Sequence, residues 1–387
     1  MSSVLPRGRF TRSVAVLAGG TALGQAITVL VSPVLTRLYS PEDFGVLAVY
    51  SSILGILSVV ASWRYELAIP LPEKDEDAIN LLALSLGIVV LMSLLVSFGL
   101  WHLSDQIVRW AKAPALGPYL WLLPIGLLLT GSYQVFNYWA VRKQAFSLIA
   151  QTKLMQGLGS ALTQISLGFL GVGTLGLLVG QIVGQGAGTT TLVVLAQKTL
   201  KAVSFKGIRY IARRYRRFPQ LSSFSGLINS AGLQLPVFLL ASFYGPEVAG
   251  WFALGQRVIG IPMSLVGQAV AQVYVGTASK LALQDCPALR SLFLKTAIRL
   301  FLIGAVPLAA FTAGGPWVFI RLFGPSWGEA GLYMRILGLM FLFQFVVVPL
   351  SQTLNILERQ DWQLGWDIGR LVLVILSLCA IYRLGGT

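Results

Sequence analysis

The sequence predicts an all-α polytopic membrane protein made of two parallel repeats. Three observations predict it. Hydrophobic residues make up 56% of the 387 positions and charged residues only 11%, under half the roughly 25% of an ordinary soluble domain. Eleven apolar stretches are each long enough to cross a hydrocarbon core of about 30 Å, which takes about 20 helical residues. A motif in the first half also returns 205 residues later in the same order. Helices satisfy their own backbone hydrogen bonds in lipid, and the alternating pattern of a membrane β-barrel is absent.

The expected spans follow in chain order. The first, 13–36, comes after Arg7, Arg9 and Arg12. Its length and the lack of a small-residue cleavage site mark a retained span rather than a signal peptide. The second, 44–63, ends in WRYEL (63–67). Trp63, Arg64, Tyr65 and Glu66 then fall at the membrane interface, where aromatic and snorkelling residues collect. Spans at 78–101, 118–141, 149–171 and 174–196 complete a first half, 1–197. His102, the single histidine, closes the third span as an interfacial polar residue. GVGTLG (171–176) matches a dinucleotide fingerprint in letters, but it lacks the strand, the helix and the following acid that the motif needs. It reads as a turn. In the sixth span Gly176, Gly180, Gly184 and Gly188 bare one helix face for close packing.

Residues 198–219 form a linker with eight basic residues and no acid. Phe205, Ile208, Ala212 and Tyr215 recur at helical spacing beside Lys206, Arg209, Arg213 and Arg216. The pattern is that of an amphipathic helix on an anionic leaflet, or of a segment that only enforces topology. Spans at 220–244, 248–277, 296–319, 331–354 and 362–384 make the second half, 220–387. A sixth span of this half would map to 379–401. The chain therefore reads either as an eleven-span protein or as a twelve-span design without its last span.

With the N-terminus in the cytoplasm, cytoplasmic segments hold 21 Lys/Arg, among them Arg142, Lys143 and Lys153; outer segments hold six. That asymmetry is the positive-inside rule, and it accounts for the net charge of +15 without nucleic acid. Cys286 and Cys379 fall on opposite sides, which argues against a disulfide between them.

The repeat is YSPEDFGVLAV from Tyr39 and YGPEVAGWFAL from Tyr244, with Tyr, Pro, Glu, Gly and Ala in register. Each copy lies in a turn between the first two spans of its half, where Pro-Glu suits a helix start. Six spans separate the copies, so the halves are parallel repeats about an axis along the membrane normal. Prolines at 33, 124, 236, 262, 307 and 349 kink helices or free carbonyls. Charges inside spans cost at least about 2.5–3.5 kcal/mol and usually face a cavity or a partner. Arg257 has no local acid. Arg370 lies three residues after Asp367, which leaves both an ion pair and a cavity role open. Gln25, Asn137, Asn229, Gln234, Gln256, Gln268, Gln272, Gln344 and Asn355 are candidates to line a hydrated passage, with interhelical hydrogen bonds as the alternative.

The stretch TRLYSPEDFGVLAVYSSILGILSVVASWRYELAIPLPEKDEDAINLLALS from Thr36 resembles the Wzx-type polysaccharide flippases of the multidrug/oligosaccharidyl-lipid/polysaccharide exporter superfamily. So do NYWAVRKQAF (137–146), RRFPQLSSFSGLINSAGLQLPVFLL (216–240), FGPSWGEAGLYMRIL (323–337) and LERQ (357–360). The resemblance implies two six-helix bundles around a central cavity in the bacterial inner membrane. It also implies alternating-access transfer of undecaprenyl-pyrophosphate-linked oligosaccharide to the outer leaflet for O-antigen, capsule or exopolysaccharide synthesis. The lipid-linked glycan is then the chief partner, with anionic lipids and glycan polymerase machinery as others. Arg257 and Arg370 would supply cations, and Arg64 with Glu66 would guard the inner mouth, as the alternative to an interfacial anchor. No enzyme activity, cofactor or metal is expected; an H+ or Na+ gradient or the membrane potential is the remaining energy source. A multidrug or cation antiporter of the same superfamily would be expected to use acids inside spans, and Asp367 alone lies well inside one. A glycan polymerase or ligase would need a large outer loop.

Overall fold

The computed structural model describes residues 7–111, 114–197, 203–284, 286–357 and 360–383. Among these residues there is no strand, and every expected apolar stretch coincides with helix. Seven stretches are by length and composition able to cross a membrane: Val16–Leu38, Pro41–Val60, Asp75–Ser104, Thr174–Gln197, Phe218–Tyr244, Pro246–Ser279 and Pro325–Leu354.

The first half runs α1 (Arg7–Leu38), α2 (Pro41–Val60), α3 (Asp75–Ala111), α4 (Leu122–Arg142), α5 (Phe146–Phe169), α6 (Thr174–Gly186) and α7 (Thr189–Gln197). A short helix, α8 (Phe205–Arg214), leads into the second half. That half comprises α9 (Ser223–Tyr244), α10 (Pro246–Gly255), α11 (Ile261–Gln284), α12 (Cys286–Phe323), α13 (Gly328–Leu350), α14 (Gln352–Ile356) and α15 (Gln360–Arg383). The bundle has a turn end, where α1 meets α2 and α9 meets α10, and a basic end, where α8 lies.

Helix starts obey local chemistry. Ser40 caps α2 by accepting from the Asp43 amide at 3.2 Å, while the Asp43 carboxylate accepts from the Ser40 amide at 2.9 Å. Pro41 fills the first helical position, where a missing N–H costs nothing. The repeat copy behaves alike: α10 begins at Pro246, after Gly245 at φ +95°. The Thr174 hydroxyl donates to the other oxygen of Asp43, tying α6 to α2.

The expected single sixth span is broken. It is split into α6 and α7, with Gly188 at φ +81° between them. Its glycine face packs on α5, with Gly180 against Gln164, Gly184 against Ser160 and Gly188 against Thr152. Methyl groups there would overlap these neighbours. α1 crosses α5 just as closely: a Cβ on Gly157 would lie 2.6 Å from the Gly24 carbonyl oxygen. Such approaches let dispersion and weak polar contacts hold helices that lipid does not drive together.

Two widened turns interrupt the second half. At Gln256–Gly260 the Ile261 amide reaches back five residues to the Gln256 carbonyl. At Phe218–Ser222 the Ser223 amide reaches Phe218. Each turn holds or adjoins a proline, Pro262 or Pro219. Pro262 removes an N–H and crowds the carbonyl of Val258 four residues back, a conflict that the wider turn relieves. Pro219 stands at the start of its own turn, where proline is tolerated.

The halves meet with near-symmetry at the turn end. Gly45 of α2 rests on the Pro246 carbonyl, and Gly250 of α10 rests on the Pro41 carbonyl. The two copies of the repeated motif thus cross each other. Trp327, fully buried, donates from its indole N–H to the Thr36 carbonyl at 3.0 Å and stands edge-on to Phe44 at 5.0 Å. Along α2 the seam continues toward the basic end: the Ser230 hydroxyl donates to the Gly55 carbonyl at 3.1 Å, and Gln234 packs on Gly55.

Candidate functional site

Between the halves lies a polar cavity of about 280 Å³. α1 contributes Thr21, Gly24, Gln25 and Thr28; α5 contributes Lys153, Gln156, Gly157 and Ser160; α6 contributes Gln181, Gly184 and Gln185. The second half contributes Arg257, carried on the widened turn beside α1. The bare glycine faces of α1, α5 and α6 bring the three helices close enough for their glutamines to converge. Among the described residues lining this cavity none is acidic or aromatic.

Lys153 is half-buried. Its ammonium donates to Gln156 Oε1 at 3.2 Å and sits 4.7 Å from the centre of the Tyr133 ring. Gln156 in turn donates to the Gln185 carbonyl at 3.3 Å. Among the described residues no carboxylate lies within 4 Å of Lys153 or Arg257. The carbonyl oxygens of the Gln25 and Gln185 side chains are buried without a hydrogen-bond partner among the described residues. Two cations without counter-charge and two unmet acceptors suit an anionic ligand that also carries hydroxyl groups.

Lys153 corrects the sequence reading, which counted it with the cytoplasmic loop charges beside Arg142 and Lys143. It lies seven residues into α5. The available signal was its position inside the 149–171 stretch, followed by Gln156 and Ser160 at helical spacing. Arg142 and Lys143 remain at the basic end, on Asp75 at 2.9 Å and 2.5 Å. Arg142 also donates to the carbonyls of Pro70, Pro72 and Glu73, clamping that loop.

The other expected residues are dispersed. Arg370 lies against Gly232 of α9 and is not part of the cavity lining; the side chain of Asp367 falls outside the described residues. Gln234 belongs to the α2–α9 seam, and Asn229, Gln268 and Gln344 are exposed. Asn137 and Gln256 are half-buried, the former with its side-chain oxygen unpartnered among the described residues. The side chains of Gln272, Asn355 and Cys286 are not described; Cys379 is a free thiol. His102 is exposed, 3.1 Å from the Phe98 carbonyl, with its ring tilted against the Phe98 ring at 4.4 Å.

At WRYEL, Trp63 and Arg64 both adopt left-handed backbone, φ +49° and +61°, at a cost of roughly 1–3 kcal/mol each for non-glycine residues. The turn drives Glu66 inward to 1% exposure. Its carboxylate accepts from the Ser62 hydroxyl and faces Arg64 at 3.9 Å. Burial outweighs both partners and holds the Glu66 carboxyl above its usual range. Arg64 continues across the seam, its guanidinium on Gly226 of α9.

The fold and the cavity define a class: multi-pass membrane proteins with the architecture of the MOP-superfamily transporters. The structure aligns with an inward-facing multidrug resistance MATE family transporter of that superfamily at a TM-score of 0.63, 16% identity, 94% of this chain and 84% of the other. A MOP-superfamily transporter from Pyrococcus furiosus aligns at 0.51, with 13% identity over 97% of this chain and 94% of the other. At these identities the likeness is one of fold alone. The chain belongs to the family described as polysaccharide biosynthesis protein, whose model matches residues 34–331. It is 25% identical over 327 residues to the succinoglycan biosynthesis transport protein ExoT of Rhizobium meliloti, covering 82% of this chain and 63% of that one. It is 26% identical over 166 residues to the teichuronic acid biosynthesis protein TuaB of Bacillus subtilis, covering 43% and 34%. The chain thus spans under two thirds of the length of either relative.

Proposed function

We propose that this protein is a flippase for undecaprenyl-pyrophosphate-linked oligosaccharide, moving it from the inner to the outer leaflet of the bacterial cytoplasmic membrane by alternating access. The observation that carries the reading is the acid-free cavity with Lys153 from one half and Arg257 from the other. A pyrophosphate bridging two cations on opposite halves ties its own movement to theirs, while Gln25, Gln156, Gln181 and Gln185 offer donors and acceptors to sugar hydroxyls. The turn-end contacts between Gly45 and Pro246 and between Trp327 and Thr36 join the halves on that side. That supports a state open toward the basic end, which we take as cytoplasmic from the charge asymmetry, with the N-terminus on the same side. The partners of this reading are the lipid-linked glycan, anionic lipids and the polymerase that consumes the flipped unit. A cation or multidrug antiporter is disfavoured because the described cavity lining has no carboxylate to hold a cation.

The test is complementation of a deletion strain. Arg257→Gln and Lys153→Gln should each lower surface glycan at least about tenfold, as expected for loss of one charge-assisted contact, with lipid-linked glycan accumulating inside. Normal export by both variants at wild-type membrane abundance overturns the cavity assignment. A deletion strain that accumulates no lipid-linked intermediate overturns the flippase reading itself.

A further inference from the structure

The basic segment between the halves is fixed to the protein by one face. Ile211 of α8 is fully buried, and the Tyr65 hydroxyl donates to the Ala212 carbonyl at 3.0 Å. The Ser204 amide donates to Asn80 Oδ1 at 2.9 Å, and Asn80 anchors itself on the Glu76 carbonyl at 2.7 Å. Gly207 packs so closely on Asn80 that a Cβ would lie 2.5 Å from its amide nitrogen. α8 therefore cannot roll, and its opposite face is held outward.

That outward face carries Lys206, Arg209 and Arg213, spaced i, i+3 and i+7, and Arg216 follows in the turn just after the helix. All four are exposed around a shallow concavity that Tyr210 and Arg214 also line. Among the described residues none of the four forms an ion pair. At the start of the helix Phe205 is 81% exposed, and at the far end Leu221 and Phe224 are 67% and 68% exposed. Two of these apolar groups lie where the chain turns into α9, within the span candidate Phe218–Tyr244. Fixed cations flanked by bare apolar side chains at the mouth of a span match a bilayer surface, with phosphates at one depth and acyl chains at the next. A soluble polyanion has no use for the apolar groups.

We infer that the outward face of α8 is a binding surface for the phosphate headgroups of anionic phospholipids, with Phe205 set among their acyl chains. It is separate from the cavity of Lys153 and Arg257. Because α8 docks on Tyr65 and Asn80, a lipid held there bears on the turn that carries Arg64 and Glu66.

The experiment uses the full chain in detergent, titrated with palmitoyl-oleoyl phosphatidylglycerol or phosphatidylcholine and read by native mass spectrometry. Each cation near an anionic surface contributes roughly fivefold to affinity. R209Q/R213Q/R216Q should therefore weaken phosphatidylglycerol binding at least about tenfold and leave phosphatidylcholine unchanged. R209K/R213K/R216K should stay within about threefold of wild type, since the contact is one of charge rather than bidentate geometry. Phe205→Ser should also weaken phosphatidylglycerol binding. Equal binding of the two lipids by wild type, or wild-type affinity in the glutamine variant, overturns the inference. So does loss of phosphatidylglycerol binding in K153Q/R257Q rather than in the α8 variant, which would move the lipid to the cavity. Displacement of phosphatidylglycerol by equimolar inorganic pyrophosphate would show a surface that reads charge alone and would overturn it as well.

Discussion

Replacing Gly45 by alanine tests whether the crossing of the two repeated motifs is a seal that opens. The added methyl would overlap the Pro246 carbonyl carbon and oxygen. Both are backbone, so no side chain can swing aside, and the helices α2 and α10 must part. Overpacking by one methyl against unyielding neighbours costs about 1–3 kcal/mol. If the turn end separates during the transport cycle, that cost falls on the sealed state alone. The population then shifts toward the opened state by a factor of roughly 5 to 150. A reporter lies next to the crossing: Ala249 is fully buried in the sealed state. In a cysteine-free background, Ala249→Cys should react with an impermeant maleimide from the turn-end side at a rate that rises by that factor when Gly45→Ala is added. Gly250→Ala, the symmetric change against the Pro41 carbonyl, should act in the same direction. An unchanged labelling rate in a folded double variant would refute the reasoning, because the seal would then bear the methyl without opening.

Other expectations are simpler. Arg142→Ala removes the clamp on the loop 70–75 and should lower stability by about 1.5–3 kcal/mol, the range for hydrogen bonds to a charged group, read as a fall in melting temperature; Arg142→Lys should recover only the part owed to Asp75. The Glu66 carboxyl is held above its ordinary value of 4.5, chiefly by burial. Such a group stabilises the fold fully below its unfolded pKa and loses that contribution as pH rises through its folded value. Glu66→Gln should therefore gain melting temperature relative to wild type as pH rises from 5 to 8; a gap that stays flat or reverses would contradict the burial account. Gly180→Leu should separate α5 from α6, with a loss of folded protein visible by size exclusion, since its place is already filled by Gln164.

Much of the architecture was legible before the coordinates. Helix limits follow hydropathy to within a few residues at most ends because lipid solvation leaves the backbone little choice. The repeat at Tyr39 and Tyr244 marked two turns that the structure brings into contact, and its Pro-Glu pairs announced helix starts. The site was less legible. Lys153 was counted with the cytoplasmic charges around 142–153, and charge counting along a chain carries no information about which helix face is bared by glycine. Gln156, Gln181 and Gln185 become neighbours only through the α1–α5 and α5–α6 glycine contacts, which are tertiary. Arg257 was legible as a charge without a local acid, but its aim depends on the widened turn before Pro262. The burial of Glu66 depends on two consecutive left-handed residues, Trp63 and Arg64, neither of which belongs to a residue type that favours that conformation.

The crossing of the two motifs has a consequence for ancestry. Pro41 meets Gly250 as Pro246 meets Gly45, so residue i touches residue j while the copy of j touches the copy of i. That reciprocity is the signature of an isologous contact across a two-fold axis. A half-length chain bearing one such motif could make the same contact with a second copy of itself. Fusing the two genes would then need no new interface, only a connecting segment between the spans on the basic side.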